Sequence, residues 1–180
     1  MEKHITTPLT KEQIQNIKAG DFVYITGILY TARDAAHKRM QEELAEGKAI
    51  PFCLEDNIIY YMGPSPARKG QVIGSAGPTT SSRMDKYTPK LLDMGLKGMI
   101  GKGIRSEEVI ASMIKNQAVY FAAIGGAGAL LSKCIKESKI IAYEDLGTEA
   151  IHELYVENFP VIAVIDSTGY NLYEIQHQSC

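Results

Sequence analysis

Four basic side chains stand at or just before the predicted starts of three helices. Arg33 and Arg83 fall in first turns, and Lys102 and Arg105 come immediately before the third helix. A cation at such a place faces the positive end of the helix dipole, which is unfavourable by about 0.3–1 kcal/mol. Three such placements in one small domain suggest an anionic ligand, and the planar guanidinium of arginine suits a carboxylate. The alternative is that these side chains are solvated or paired with Asp or Glu.

The loops beside these cations are rich in small residues. Residues 77–82 read GPTTSS and residues 101–103 read GKG, so backbone N–H groups there can approach a ligand closely. The glycine patterns do not fit a nucleotide site. The GGAG string at 125–128 lacks the G-x-G-x-x-G spacing, and residues 101–103 lack a Walker A frame. A carboxylate ligand is therefore favoured over a nucleotide.

His37 follows Arg33 by four residues and therefore shares its helix face. It could hydrogen-bond the same ligand or act as an acid or base near neutral pH. A histidine that only packs fits the pattern equally well. The other histidines, His4, His152 and His177, show no partner spacing, and we interpret them as surface or packing residues.

The three cysteines, Cys53, Cys134 and Cys180, are far apart in the sequence and form no C-x-x-C motif. We interpret them as two buried thiols and one loose terminal thiol. This spacing does not offer the close thiolate set that holds most iron–sulfur clusters, and no metal site is predicted in this chain.

The elements that must position these side chains alternate along the chain. Helices are predicted at residues 11–17, about 33–47 and 83–93, after Ser106 and after 125–128; strands are predicted at 22–30, 71–75, 98–101, 118–124, 140–143, 161–165 and 170–175. Thr10 and Gln13 form a predicted capping box, and the turn 166–169 is predicted to join the last two strands as a hairpin. Such alternation predicts an α/β domain, and the hairpin argues against an all-parallel sheet.

Composition sets the broad class. The chain has 180 residues, 45% of them hydrophobic and 22% charged, which is typical of one globular domain. A net charge of −2 gives no general attraction to nucleic acid or to an anionic membrane. No apolar run approaches the roughly 20 residues that span a bilayer, and the first residues lack the apolar core of a signal peptide. We therefore expect a cytoplasmic protein without a nucleic-acid or membrane partner.

Three strings occur in a particular order: RDAAH at 33–37, GPTTSSRMD at 77–85 and GMIGKG at 98–103. The strings GGAG at 125–128 and ENFP at 157–160 follow them. Together they resemble the C-terminal domain of class I fumarate hydratases, which also occurs as a separate beta subunit in two-subunit fumarases and tartrate dehydratases. The resemblance extends over roughly residues 20–174. It implies a three-layer swivelling β/β/α domain with a mixed sheet, formed by residues 1–180 as a single domain.

The resemblance also implies roles for individual residues. Arg33, Arg83 and Lys102 would hold the substrate carboxylates, Thr79 would remove the C3 proton of malate as the base, and His37 would lie nearby as a second catalytic candidate. A [4Fe-4S] cluster would be held by a larger alpha subunit, with none bound by this chain alone.

The expected function is the reversible hydration of fumarate to L-malate, with activity only in the presence of that alpha subunit. The expected assembly is a heterotetramer or a larger oligomer. Two alternatives remain open from the sequence: the beta subunit of an L-tartrate dehydratase, and a dicarboxylate-binding module without catalysis.

Overall fold

The computed structural model describes residues 1–124 and 128–174. Its strands are β1 (Glu2–Thr6), β2 (Phe22–Thr31), β3 (Ile58–Tyr60), β4 (Gly98–Gly101), β5 (Val119–Ala123), β6 (Ile135–Ala142) and β7 (Ile151–Ile165). Its helices are α1 (Lys11–Asn16), α2 (Asp34–Ala45), α3 (Thr88–Asp93), α4 (Glu107–Asn116) and α5 (Gly128–Ser132), with 3₁₀ segments at Ser81–Met84 and Glu144–Glu149. No helix in these ranges is long and apolar enough to cross a membrane.

The sheet is mixed and closes on itself. Strands β2, β3, β4 and β5 are parallel neighbours, and β1 runs parallel to the first half of β2. The long strand β7 is antiparallel to both β2 and β5, and it therefore joins the two ends of the parallel group. Strand β6 pairs with the first part of β7. The α/β class and the mixed sheet predicted from the sequence are confirmed.

Alternation along the parallel strands builds two separate cores. Ile58 and Tyr60 of β3 point into the space between the two halves of the closed sheet, while Ile59 and the following Tyr61 face the helices. Strand side chains alternate between faces in this way because the backbone is pleated. The helix side is covered by apolar residues of α2, α3 and α4. The result is three layers, two of sheet and one of helix.

The carboxyl ends of β2, β3 and β4 lie at one edge, because these strands are parallel. We call this the carboxyl edge; the residues that end the three strands there are Thr31, Tyr60 and Gly101. Segments leaving the carboxyl ends of parallel strands form the usual ligand crevice of such sheets. Lys102 follows the end of β4 directly, and Arg33 follows the end of β2 after one intervening residue.

Several local predictions are confirmed. Thr10 and Gln13 form both hydrogen bonds of the capping box on α1. Strand β2 covers the predicted range and adds one residue. The Ser106 hydroxyl accepts the N–H of Val109 at 3.2 Å, which caps α4 as expected.

Two predicted strands are wrong. Residues 71–75 form no strand, because Ser65 and Ser75 bond each other and close a loop: the Ser75 amide donates to Ser65 Oγ at 2.7 Å and the Ser65 amide donates to the Ser75 carbonyl at 3.2 Å. Asn171 forms only a bridge to Ile165, and residues 172–174 are helical rather than extended. Residue 175 lies outside the described residues, so the hairpin reduces to this one bridge.

The predicted helix 83–93 is two separate elements. Ser81–Met84 is a single 3₁₀ turn, and α3 begins only at Thr88, with a proline in its first positions. Proline lacks the N–H that a continuing helix needs, but it fits a helix start, which explains the division. The cysteine interpretation also needs correction, since Cys53 is exposed and Cys134 is only partly buried. Cys180 lies outside the described residues.

Candidate active site

Arg33 lies between β2 and α2, at the carboxyl edge. Its extended backbone (φ −129°, ψ −151°) turns the chain into the helix as the N-cap residue. Its guanidinium lies over Gly63, where an added Cβ would be only 2.6 Å from Arg33 Nε. Glu149 Oε1 is 3.3 Å from the same Nε, but the buried Nε–H has no aligned hydrogen-bond acceptor among the described residues. Arg33 therefore has an ion-pair partner and an unsatisfied donor together.

Glu149 also serves the start of α2. The N-cap position of this helix supplies no side-chain cap, because Arg33 has no acceptor to offer. Instead, Glu149 Oε1 accepts the N–H of Ala35 at 3.1 Å. A carboxylate suits this place because it satisfies a free N–H and faces the positive end of the helix dipole.

Arg83 is held by Asp34 in a two-pronged ion pair. Nε and Nη2 donate to the two carboxylate oxygens at 3.0 and 2.9 Å. Both side chains remain about half exposed, at 52% for Arg83 and 43% for Asp34. Arg83 lies within the 3₁₀ turn and not at the start of an α-helix, so the dipole argument does not apply to it.

These pairs correct one step of the sequence argument. The cations at the helix starts were expected to need an external anion, whereas Asp34 and Glu149 of the same chain stand beside the two arginines. The stated alternative of internal pairing is therefore the observed arrangement of the chain without ligand. An anion that binds here has to exchange with these carboxylates.

The loop that carries Thr79 runs beside the ends of β3 and β4. The Thr79 amide donates to the Tyr61 carbonyl at 2.7 Å, and the Ser81 amide donates to the Lys102 carbonyl at 2.9 Å. Thr80 and Lys102 form an isolated parallel bridge. Thr79 is buried, whereas Lys102 is exposed. The Thr80 side chain does not cap the 3₁₀ turn that follows it.

A hydroxyl pair ties this loop to the next one. The Tyr120 hydroxyl donates to the Gly103 carbonyl at 2.8 Å and is 2.7 Å from Ser81 Oγ, which leaves Ser81 as the donor of that second bond. Gly101 has no room for a side chain, because a Cβ there would collide with Ser81 Oγ. The Ser81 hydroxyl is thus engaged within the fold.

Arg105, the fourth cation of the sequence argument, is structural. Its side chain is fully buried, and its Nε donates to Asp85 Oδ1 at 2.7 Å. Its Nη2 donates to the Tyr61 hydroxyl at 3.1 Å and to Thr88 Oγ1 at 3.0 Å. The guanidinium also lies over the rings of Tyr61 and Tyr120. These contacts use its donors within the fold and fix the segments on either side of the site.

His37 is buried and neutral. Its Nδ1 is 2.9 Å from the carbonyl oxygen of Arg33, and its Nε2 has no partner among the described residues. Its ring packs near the rings of Tyr61 and Tyr87, at 5.5 and 5.8 Å between centroids. Burial lowers the pKa of His37 to about 4, so the ring does not titrate near neutral pH, contrary to one of the sequence expectations.

Two cavities adjoin these residues. An open one of about 830 Å³ is lined by Asp34, Ser82, Arg83, Tyr87 and Glu149 among others, and so includes the Arg83–Asp34 pair. A second one of about 400 Å³ includes His37 and apolar residues of α2 and α3. Lys86 and Tyr87 line both cavities. Arg83 and Glu149, the carboxylate beside Arg33, line the first cavity, whereas His37 lines the second.

The donor set of the described residues does not fit an iron–sulfur cluster. Within residues 1–124 and 128–174, no group of three or more His, Cys, Asp or Glu side chains is arranged to hold a metal ion. Cys53 and Cys134 are free thiols. No catalytic step in this chain is therefore assigned to a cluster.

The chain matches the family model described as Fumarase C-terminus over residues 2–176. It belongs to that family. The resemblance seen in the motifs is therefore confirmed over nearly the whole chain. The strings around Arg33, Thr79 and Lys102 lie within the matched range.

Individual relatives of this fumarase C-terminal chain differ in how much of their length it covers. A protein of Methanocaldococcus jannaschii, provisionally named L(+)-tartrate dehydratase subunit beta, is 38% identical over 92% of this chain and 88% of its own length. The aerobic class I fumarate hydratase of Salmonella typhimurium is 34% identical, with 94% of this chain and 30% of its own length covered. The anaerobic class I enzyme of Escherichia coli is 37% identical, at 87% and 29%. The chain thus spans less than a third of these fumarate hydratases.

Three features of the site were not predicted from the sequence. Gly63 makes room for the Arg33 guanidinium, Glu149 supplies its counter-charge, and Tyr120 bonds the Thr79 loop through Ser81. None of the three belongs to the quoted motifs. Asp34, the partner of Arg83, does belong to a quoted motif, in which it follows Arg33. An acidic residue at that place could have been interpreted as the partner of an ion pair.

Proposed function

We propose that this chain is the beta subunit of a two-subunit hydro-lyase that hydrates fumarate to L-malate and catalyses the reverse reaction. The observation that carries the proposal is the placement of Arg33, Thr79 and Lys102 around one carboxyl edge in a chain of the fumarase C-terminal family. The enzyme is proposed to be active only when this chain assembles with an alpha subunit, as a heterotetramer or a larger oligomer.

The substrate carboxylates are proposed to bind to the three cations. The Arg33 side chain is 31% exposed, and its ion pair with Glu149 leaves Nε–H without an aligned acceptor, so a substrate carboxylate can compete with Glu149 for the exposed part of the guanidinium. Arg83 is paired with Asp34 in a half-exposed ion pair. Exposed ion pairs contribute only about 0–1 kcal/mol, so a substrate carboxylate can replace Asp34 at little cost. Lys102 is exposed and supplies a third positive charge.

Thr79 is proposed as the base that removes the C3 proton. Removal of a proton next to a carboxylate builds a doubly negative aci-carboxylate, and fixed cations stabilise that charge more than they stabilise the substrate. Thr79 is buried, and the Thr80–Lys102 bridge places its loop next to the loop of a cation. Nearby positive charge lowers the pKa of a hydroxyl.

The [4Fe-4S] cluster is proposed to belong to the alpha subunit. The described residues of this chain do not fit a cluster, as noted above, and the roles assigned here to Arg33, Arg83, Lys102 and Thr79 concern only binding and the proton.

A second candidate substrate is L-tartrate. The supporting observation is the Methanocaldococcus jannaschii relative that carries the tartrate dehydratase name, which this chain matches over 88% of that protein's length. Malate and tartrate differ by one hydroxyl, so the same three cations suit either dicarboxylate.

The test is reconstitution with a cluster-bearing alpha subunit, followed by measurement of malate and tartrate turnover. The purified chain alone should show neither an iron–sulfur absorption spectrum nor hydratase activity, and activity should appear in the pair. A preference for tartrate would establish the second candidate. A pair that binds dicarboxylates without turnover of either substrate would mean a binding module and would overturn the proposal.

The cations can be tested in the same assembled enzyme. Arg33→Ala, Arg83→Ala or Lys102→Ala should each reduce kcat/KM by about tenfold to a hundredfold, because a charge-assisted hydrogen bond contributes about 1.5–3 kcal/mol. Arg83→Lys should restore activity only in part, since the two-pronged fork is lost. The matched control is Arg39→Ala on α2, whose guanidinium also forms a two-pronged ion pair, with Asp145 at 2.7 Å. Normal turnover in all three site variants would contradict the assignment.

A further inference from the structure

Two buried side-chain atoms in the described residues lack a hydrogen-bond partner: Arg33 Nε and His37 Nε2. They belong to the first and last residues of the RDAAH string, four positions apart in the sequence. Buried polar atoms are paired in the great majority of cases, so two exceptions in one motif require an explanation. Arg33 Nε lies 3.3 Å from Glu149 Oε1 and so has a charged partner, although the two are not aligned as a hydrogen bond. The free nitrogen of His37 is a separate question.

The hydrogen bond of the other ring nitrogen fixes the tautomer of His37. A carbonyl oxygen can only accept, so the 2.9 Å contact with the Arg33 carbonyl requires the proton to be on Nδ1. Nε2 is then a bare acceptor, buried and unpaired. An acid needs a proton to give, and a base needs access to the substrate. Nε2 has neither, because the ring is buried between Tyr61 and Tyr87.

The charged groups around the ring do not change this state. Arg105, across the ring of Tyr61, disfavours a positive charge on His37, while Asp34 at the start of α2 favours it. Lys86 and Lys90 line the cavity that the ring adjoins, and both are cations. Burial outweighs the favourable carboxylate, so the imidazole stays neutral near pH 7.

The Nδ1–H bond acts on the backbone of Arg33. The Arg33 carbonyl accepts both the backbone N–H and the ring Nδ1–H of His37, each at 2.9 Å. Two donors on one carbonyl fix the plane of the peptide that follows Arg33. Arg33 is the N-cap residue of α2, and its own side chain makes no cap bond that would fix its conformation. The orientation of the peptide plane after Arg33 therefore helps to set the direction of its side chain. The guanidinium is then directed over Gly63.

We propose that His37 is a positioning residue: its Nδ1–H holds the Arg33 carbonyl and so directs the Arg33 guanidinium toward the substrate carboxylate, while the ring exchanges no proton with the substrate. The proposal rests on the proposed function for the identity of the ligand. It does not rest on that function for the hydrogen bond itself.

Two amide replacements separate the two ring nitrogens. His37→Asn places an N–H donor where Nδ1 stands, whereas His37→Gln places one nearer to Nε2, and His37→Leu removes both. In the assembled enzyme, His37→Asn should keep most of the activity. His37→Gln and His37→Leu should raise KM by about tenfold, the worth of one lost hydrogen bond, with a smaller change in kcat. The pH dependence of kcat should keep its shape in all three.

The opposite pattern would overturn the proposal. If His37→Asn is as inactive as His37→Leu, or if one limb of the pH profile disappears in these variants, the ring transfers a proton and is catalytic. Loss of folding in His37→Leu would be seen by circular dichroism, and the comparison of Asn with Gln then decides alone.

A second measurement does not depend on activity. Nitrogen-15 NMR of the histidines in the full chain should show a neutral ring at His37 with its proton on Nδ1, between about pH 5 and 8. The Arg33 Nε–H resonance should shift in His37→Leu and not in His37→Asn. A ring that titrates in that range, or a proton on Nε2, overturns the positioning role. An inactive wild-type pair with the NMR result intact overturns the proposed function instead.

Discussion

Thr79 occupies a buried place at the carboxyl edge, with its amide bonded to the end of β3 through the Tyr61 carbonyl. A threonine hydroxyl is a poor base, since its alkoxide is scarcely populated near neutral pH. Adjacent cations and a site closed to water would favour the charged form. The competing interpretation, in which the hydroxyls of this loop only cap the following turn, is weakened at Thr80, whose side chain makes no cap bond.

Thr79→Ala should abolish both turnover and the exchange of the C3 proton of malate with solvent deuterium in the assembled enzyme. Its melting temperature and its assembly with the alpha subunit should stay close to those of the wild type, because the backbone bonds of the loop do not use the side chain. Thr80→Ala is the neighbouring control and should retain more activity. Substantial C3 exchange in Thr79→Ala would show that another group is the base.

The buried His37 also makes a prediction about stability. Its pKa is about 4 in the folded chain and 6.5 as the ordinary value, so the unfolded chain binds the proton first as the pH falls. Stability from this residue is fully present above pH 6.5 and is lost progressively down to about pH 4, by roughly 3 kcal/mol. Urea unfolding of the wild type and of His37→Asn across this range measures the difference. Parallel pH curves for the two proteins would contradict the buried neutral ring.

At the scale of residues, the sequence predicted the strand ends beside which two of the cations lie, but not how their charges are balanced. The motif strings correctly placed Arg33 and Lys102 beside strand ends, because a strand that is followed at once by a loop is visible in the pattern of apolar residues. The partner of Arg33 is Glu149, more than a hundred positions away and outside any motif. Pairing across such a distance depends on how whole elements pack. The spacing of residues within a motif carries no information about that packing.

At the scale of elements, α2 depends on a cap from outside its own sequence. The helix carries the motif residues Asp34 and His37, yet its N-cap residue offers no acceptor, and Glu149 of the 3₁₀ segment Glu144–Glu149 fills the place. The orientation of the site residues on α2 is therefore coupled to the segment that leads into β7.

Glu149→Ala should lower the free energy of unfolding by about 1 kcal/mol, the usual cost of a lost N-cap, while Glu149→Gln should lower it less because an amide oxygen can still accept the Ala35 N–H. Chemical denaturation measures both. The control is Glu144→Ala in the same 3₁₀ segment, where the side chain is exposed. Equal stabilities for the three variants would mean that the cap bond contributes nothing.

The elements themselves were predicted unevenly, for identifiable reasons. Helix α4 was predicted because Ser106 and the acidic first turn are local signals that act within the helix. The break between the 3₁₀ turn and α3 was missed, since the apolar spacing continues across it and only the proline marks the new start. The false strand at 71–75 has strand-like residues, but it is the second half of a loop whose ends, Ser65 and Ser75, are bonded to each other.

At the scale of the whole molecule, the two cores exist because strand β7 closes the sheet. Alternation within each strand predicts two faces, and these faces became two cores because β7 joins β2 to β5. The sequence predicted a mixed sheet, although from a hairpin that the structure reduces to one bridge. The true cause is β7, which is antiparallel to β2, to β5 and to its sequence neighbour β6; the closure depends on β2 and β5, which precede it by about 120 and 30 residues. A strand pattern shows that β7 exists without showing what it pairs with.

The closure of the sheet by β7 also determines how early the chain can fold during its synthesis. Strand β2 leaves the ribosome early, whereas its antiparallel neighbour, residues Ile151–Ile165, is synthesised more than a hundred residues later. Until then the inner core lacks the side chains of β7, among them Leu154, Phe159 and Val161. Contacts between such distant segments form slowly, because closing the long loop between them costs entropy before the contacts stabilise the fold. Nascent chains halted on the ribosome at increasing length should therefore stay sensitive to protease until residue 165 has emerged from the exit tunnel, and then become resistant over a few further residues. Resistance in chains that end before Ile151 would mean that β1 to β5 form a stable intermediate during synthesis.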